Sequence, residues 1–289
     1  MYNEDLIADQ RDWAEAGLMT ARQLLPLMSP VGRHAWSSAE RQTVGNLLSA
    51  TARATESALL LCAFGQLWDA EILARSVLEG SLKFAYLVQS PDTFDQRHEE
   101  YASHLFSIAV MKDHQKSADL MSVVKDPEHP QWRPIKDRLL SDEELSELRS
   151  TYDRVHRREL ENRWGFTGLV GELSRSGDPL FRNLGGLAHT YSMASHIHHM
   201  DMVGASIPLD RDMRSAERRE TIHSAHEGRL ISDVLIFLYL RLCVGYRFVG
   251  ADMAPLAEAK AAIDAVGAEF DTVRSTWMDV EYPTDDQTE

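Results

Sequence analysis

Apolar residues recur along most of this chain at the three- and four-residue spacing of amphipathic helices, and no stretch alternates convincingly at period two. Gly and Pro fall mainly between these stretches. The pattern predicts a first helix over about Asn3–Met28, ending before Pro30. Ser37-Ser38-Ala39-Glu40 has the form of a capping box opening a second helix, which runs to Phe64 and stops at Gly65. A third helix reaches about Gln89, and a fourth spans Asp92–Lys125. Pro127, Pro130 and Pro134 then predict a loop. A second capping box, Ser141-Asp142-Glu143-Glu144, opens a polar helix to about Trp164, followed by a short helix near Gly168–Ser174. Pro179–Met202 reads as a histidine-bearing helix and Val203–Asp210 as a loop. A long helix over Met213–Phe248 and a last one over Pro255–Asp279 complete the chain. The fold class expected is all-α, an antiparallel bundle of long helices with short connecting loops. Residues 1–280 read as one helical domain and 281–289 as an acidic, unordered tail.

Two places break the amphipathic pattern with chemistry. In the third helix most positions are apolar, yet Glu71, Arg75 and Glu79 recur at i, i+4 and i+8, with Trp68, Leu82 and Tyr86 in line. An arginine between two carboxylates predicts an intrahelical ladder, and a buried arginine needs a partner. The second place is Ala188–Asp201, where five of fourteen residues are His or Asp. At 100° per residue, Tyr191, Ser195 and His199 share one face, flanked by His189, Ser192 and His196. Either this face is simply wet, or it meets the Arg75/Glu79 stripe and builds a polar pocket.

Charge and composition narrow the function classes. The 289 residues are 44% hydrophobic and carry a formal charge of −15, which disfavours broad nucleic-acid binding and leaves RNA only a local site. Two arginine groups, Arg154/Arg157/Arg158/Arg163 and Arg211/Arg214/Arg218/Arg219/Arg229, are interrupted by acids and read as salt-paired helix faces. Cys62 and Cys243 sit in apolar runs as core residues, which with the acidic N-terminus predicts a cytoplasmic protein without disulfides. Val234–Val249 carries Arg241 and Arg247 and is too short and charged to cross a bilayer. The apolar run Leu235–Leu242 would serve either a homodimer or a bundle core.

Three chemistries fit the motifs. A metal would need two Glu-x-x-His motifs in a bundle, and one is present, Glu220–His223, with His226-Glu227 beyond it, so no cofactor is expected. Ser195 beside His199 is a candidate nucleophile and base, but no nucleophile elbow, phosphate loop or dinucleotide fingerprint accompanies them. Metal-free RNA cleavage needs an Arg for phosphate charge and a His for proton transfer. Arg182 followed by His189 has the Arg–polar–His spacing of the helical HEPN ribonucleases, and so does Arg218 with His223.

Three blocks carry a resemblance: Ala70–Glu79 followed by Tyr86-Leu87, Arg163–Thr167 with Val170–Leu173, and Tyr191–Ser195 ending at His199. In these the chain resembles an uncharacterised family of bacterial all-helical proteins over roughly Ser49–Asp210. That resemblance implies that Arg75, Glu79, Tyr191, Ser195 and His199 form one polar cluster, and it implies a distant HEPN-like kinship at fold level. His196 and His198 depart from the family pattern. The leading functional expectation is HEPN-like, metal-independent RNA cleavage in a toxin or defence role. The alternatives are a non-catalytic helical interaction or ligand-binding protein and, third, a histidine-rich metal-binding bundle.

Overall fold

The computed structural model describes residues 4–283, and among them every regular element is helical. The main helices in chain order are α1 (Glu4–Leu24), α2 (Ser38–Ala63), α3 (Leu67–Leu87), α4 (Pro91–Glu99), α5 (Leu105–Val123), α6 (Asp142–Thr151), α7 (Arg154–Trp164), α8 (Phe166–Arg175), α9 (Leu187–His199), α10 (Met202–Asp212), α11 (Ala216–Val249) and α12 (Ala254–Glu281). Where one domain over 1–280 is expected, these helices group as two compact units. One comprises residues up to Ser90 together with those from Leu173 on, and the other is Pro91–Glu172.

The first unit is built on α3 and α11, the two helices apolar on most faces. α2 and α11 both pack on α3, α1 packs on α2 and α11, and α12 packs along α11. Leu67, Val77, Leu82, Phe84 and Leu87 on α3 are buried with Ile231, Leu235, Leu242 and Val244 on α11. The run Leu235–Leu242 is therefore mostly core: Leu235, Phe237, Leu238, Leu240 and Leu242 are buried, and Ile236 is exposed. The Ser37 capping box forms as predicted, Glu40 N–H donating to Ser37 Oγ at 3.3 Å and Ser37 N–H to the Glu40 carboxylate at 2.7 Å. Gly65, at φ +67°, ends α2.

The second unit has its own small core. Ile108 and Met111 of α5 pack with Tyr152 and Leu160, and Leu105, Leu145 and Leu148 cover them. Glu100 is buried and accepts from Arg163 Nη1 at 2.5 Å and Trp164 Nε1 at 2.9 Å, which ties α7 to the segment before α5.

Several predicted boundaries are corrected by local chemistry. The single helix expected over Asp92–Lys125 passes through wider π-type turns at Glu100–His104. The polar helix expected to run from Ser141 to Trp164 breaks at Tyr152, because Asp153 takes the His156 N–H at 2.8 Å and caps a new helix. The histidine helix starts at Leu187 rather than Pro179, after two 3₁₀ turns at Pro179–Phe181 and Leu184–Gly186. The loop expected over Val203–Asp210 is helix α10. Met200 turns left-handed at φ 51°, and Asp201 caps the new helix through the Gly204 N–H at 2.9 Å. Pro208 sits inside α10, a position the sequence rules disfavour. The first residue of the expected tail is helical: Glu281 closes α12 and accepts from Arg214 Nη1 at 2.6 Å and Arg218 Nε at 3.1 Å. Residues 284–289 of that expected tail lie outside the described residues.

The α9–α10 hairpin depends on a close approach. A Cβ on Gly204 would lie 2.0 Å from the His196 carbonyl oxygen, a backbone atom that cannot move aside alone. Gly204→Ala is expected to destabilise this hairpin selectively. Amide hydrogen exchange should show protection lost across α9 and α10 and kept in α11. Unchanged exchange there would refute the close approach.

Candidate functional site

α3 presents its polar side chains in two directions. Arg75 and Glu79 face α9. Arg75 Nε donates to Glu79 Oε1 at 3.2 Å and Arg75 Nη2 to the Tyr191 hydroxyl at 2.9 Å, while that hydroxyl donates to Glu79 Oε1 at 2.9 Å. The guanidinium also lies 4.4 Å over the Tyr191 ring, a cation–π arrangement. Three of the five residues the resemblance groups are thus one closed hydrogen-bonded triangle. Burial and the Glu79 hydrogen bond push the Tyr191 phenol above its ordinary value, so it stays a donor at neutral pH.

The other expected members lie elsewhere. No described contact joins Ser195 or His199 to the triangle. His199 is exposed at the end of α9, its ring 5.0 Å from that of His198. His196 contacts Asp201 through Nδ1 at 2.6 Å and so braces the hairpin turn. Arg182 is exposed just after the first 3₁₀ turn. His189 belongs to α9, and its side chain lies outside the described residues.

Glu71 does not complete the ladder predicted with Arg75. It turns toward α11, is 1% exposed, and accepts from His226 Nε2 at 2.8 Å and from Arg229 Nη2. Arg229 Nη1 donates to Asp233 at 3.0 Å. Arg211 Nη1 approaches His226 Nδ1 at 2.9 Å. A guanidinium can only donate, so Nδ1 accepts and the imidazole is the neutral Nε2–H tautomer. Arg211 also lies 4.2 Å over the Trp68 ring. Burial would raise the Glu71 carboxyl, but the His226 hydrogen bond and the Arg229 charge outweigh it and hold it below the usual value. Burial, with Arg211 nearby, pushes both His223 and His226 down to about 4. Burial pushes Asp233 up despite Arg229.

These two groups share one cavity, lined by Glu71, Arg75, Tyr191, Arg229, Asp233 and apolar neighbours. Its volume is about 10 Å³, room for about one water. Arg75 Nη1 is buried beside it without a hydrogen-bond partner. The cavity is too small for an organic substrate, so in this conformation the arrangement can bind and orient a water but can enclose nothing larger.

Sequence reasoning passed over Arg229 and Asp233 as members of a site, and it set His226 beside a metal motif and Trp68 in the α3 stripe without joining them to Glu71. The usable signal was Glu71 itself, a carboxylate on a helix apolar nearly all round, which requires cations from another element. Of the single Glu-x-x-His motif, Glu220 is half-buried and His223 is buried within the influence of Arg211 and His226, and among the described residues no group of three or more His, Cys, Asp or Glu is placed to hold a metal. Among the described residues, no helix is long and apolar enough to cross a membrane. The salt-paired reading holds for Arg214, Arg218 and Arg229, each with a carboxylate partner named above, whereas Arg211 meets the neutral His226 ring and the Trp68 face.

Residues 42–214 match the profile of DUF5677, a family of unknown function. That is more than half of the chain, and the chain belongs to this family. No curated protein and no solved structure matches it.

Proposed function

We propose that the protein is a non-catalytic helical binding protein in which Arg75, Glu79 and Tyr191 hold α9 against the core. The observation that carries this reading is the closed triangle beside a cavity of about 10 Å³. A reaction centre needs groups free to meet a substrate, and here the charged and phenolic groups bond one another, while the unpartnered Arg75 Nη1 has room beside it for only about one water. The interaction half of the reading is supported by the next hairpin. Met200, Met202, Val203, Leu209 and Met213 are all more than half exposed, and large exposed apolar side chains mark contact surfaces. Cys62 and Cys243 are buried free thiols, which supports a reducing, cytoplasmic compartment.

HEPN-like, metal-independent RNA cleavage in a defence or toxin role is the second reading. It is supported by the exposed Arg182 standing just before the helix whose first turn carries His189. One experiment separates the two. Arg75→Ala and Glu79→Ala are each expected to lower unfolding free energy by about 1–3 kcal/mol, because each leaves part-buried partners unsatisfied. The purified protein should leave total RNA intact in chelator. Cleavage by the parent that vanishes in His189→Ala or His199→Ala would replace the binding reading with the nuclease one.

A further inference from the structure

In the second unit, we infer an anion site for a phosphate-bearing ligand, formed by Lys112, Arg154, Arg157 and Arg158. These four cations and Glu161 line a surface cleft of about 400 Å³, within the roughly 300–1,000 Å³ of small-molecule sites. The inference is independent of the function proposed above, since all five residues belong to the other unit.

α7 begins at Arg154, so Arg154, Arg157 and Arg158 occupy its first turn and the residue after it, the positive end of the helix dipole. Their i, i+3, i+4 spacing puts them on one face, where like charges repel. A helix selected only to fold would carry acids at these positions. The acid on that turn, Asp153, feels Arg157 but gives its Oδ1 to the cap. Arg157 Nε reaches only the Asp153 carbonyl, at 3.4 Å. The one carboxylate in the cleft, Glu161, is engaged by Lys112. Among the described residues no salt bridge involves Arg154, Arg157 or Arg158. Arg75, Arg211, Arg214, Arg218 and Arg229 of the first unit all have partners, and the whole chain carries −15, so a group of three arginines without a salt bridge stands apart from them. Local rules broken without compensation mark function. Guanidinium forks match the paired oxygens of a phosphate, which would neutralise the repulsion that the protein leaves standing.

The test titrates the full chain with inorganic pyrophosphate and with ATP by calorimetry, and with a labelled single-stranded RNA by anisotropy, at low and high salt. Binding of at least one probe is expected, weakening as salt rises. The variant carrying Arg154→Gln, Arg157→Gln and Arg158→Gln together should bind at least ~10-fold more weakly, and Glu161→Gln more tightly. The triple variant removes repulsion from a helix end, so its melting temperature should not fall, which separates lost binding from lost folding. Binding of pyrophosphate and ATP alone assigns a small phosphate ligand; binding of RNA alone assigns a polynucleotide phosphate. No binding of any probe to the parent at low salt, or equal binding by the triple variant, overturns the inference.

Discussion

Glu71→Ala is expected to cost the first unit about 3–5 kcal/mol, read as a lowered urea midpoint, with Glu71→Gln losing less. Glu71 is the single acceptor on which His226 Nε2 and Arg229 Nη2 converge, and it is 1% exposed. Removing it leaves the His226 Nε2–H and Arg229 Nη2 without their acceptor between α3 and α11, with only Asp233 still holding Arg229, whereas glutamine keeps an acceptor for one of them. The same network sets an acid limit. His223 and His226 are held neutral with pKa values near 4, against 6.5 in the unfolded chain. Between those values the unfolded state binds protons that the folded state refuses, so stability falls as pH drops from about 6.5 toward 4. Below 4.5 the unfolded chain also protonates Glu71 before the folded state does, and the loss continues. Urea midpoints at pH 7.5, 6, 5 and 4 in His226→Gln and parent should show a shallower decline in the variant; parallel declines would remove His226 as a source.

What the sequence made legible follows from which interactions are local. The capping boxes at Ser37 and Ser141 both form because a cap is decided within four residues. The all-helical class and the Arg75/Glu79 pairing could be read from spacing, whereas the meeting of Tyr191 with them was what the family resemblance implied. α10 could not, since Pro208 and Gly204 read as loop signals. The Asp201 cap supplies its start, and the Gly204 approach to His196 needs a missing side chain rather than a flexible backbone. The Glu71 network was hidden for a different reason. A polar stripe at i, i+4, i+8 drifts about 40° per step around the helix, so Glu71 and Glu79 need not face the same neighbour. Which of them turns toward α11 depends on the register of two helices separated by more than 150 residues in sequence. Ser195 and His199 fail to join the triangle by the same drift, which carries the end of α9 out to solvent.

Glu227→Met is expected to stabilise the protein by about 2–3 kcal/mol at pH 7, the opposite sign to every core substitution above. Glu227 is fully buried on α11, and neither carboxylate oxygen has a hydrogen-bond partner. Burial pushes its carboxyl up to about 9, so the folded protein carries it protonated at neutral pH. The unfolded chain ionises near 4.5. From 4.5 to 9 the folded state therefore holds a proton that the unfolded state has released, and stability falls as pH rises through that window. This slope opposes the combined slope of His223 and His226, which outweighs it until the unfolded histidines are half deprotonated, so the parent should be most stable near pH 6.5. Glu227→Gln removes the titration while keeping a polar group, and should flatten the alkaline limb with a smaller gain than methionine. Thermal midpoints from pH 5 to 9 distinguish the outcomes. A methionine variant less stable than the parent at every pH would mean that Glu227 has a buried partner, and that its cost is already compensated.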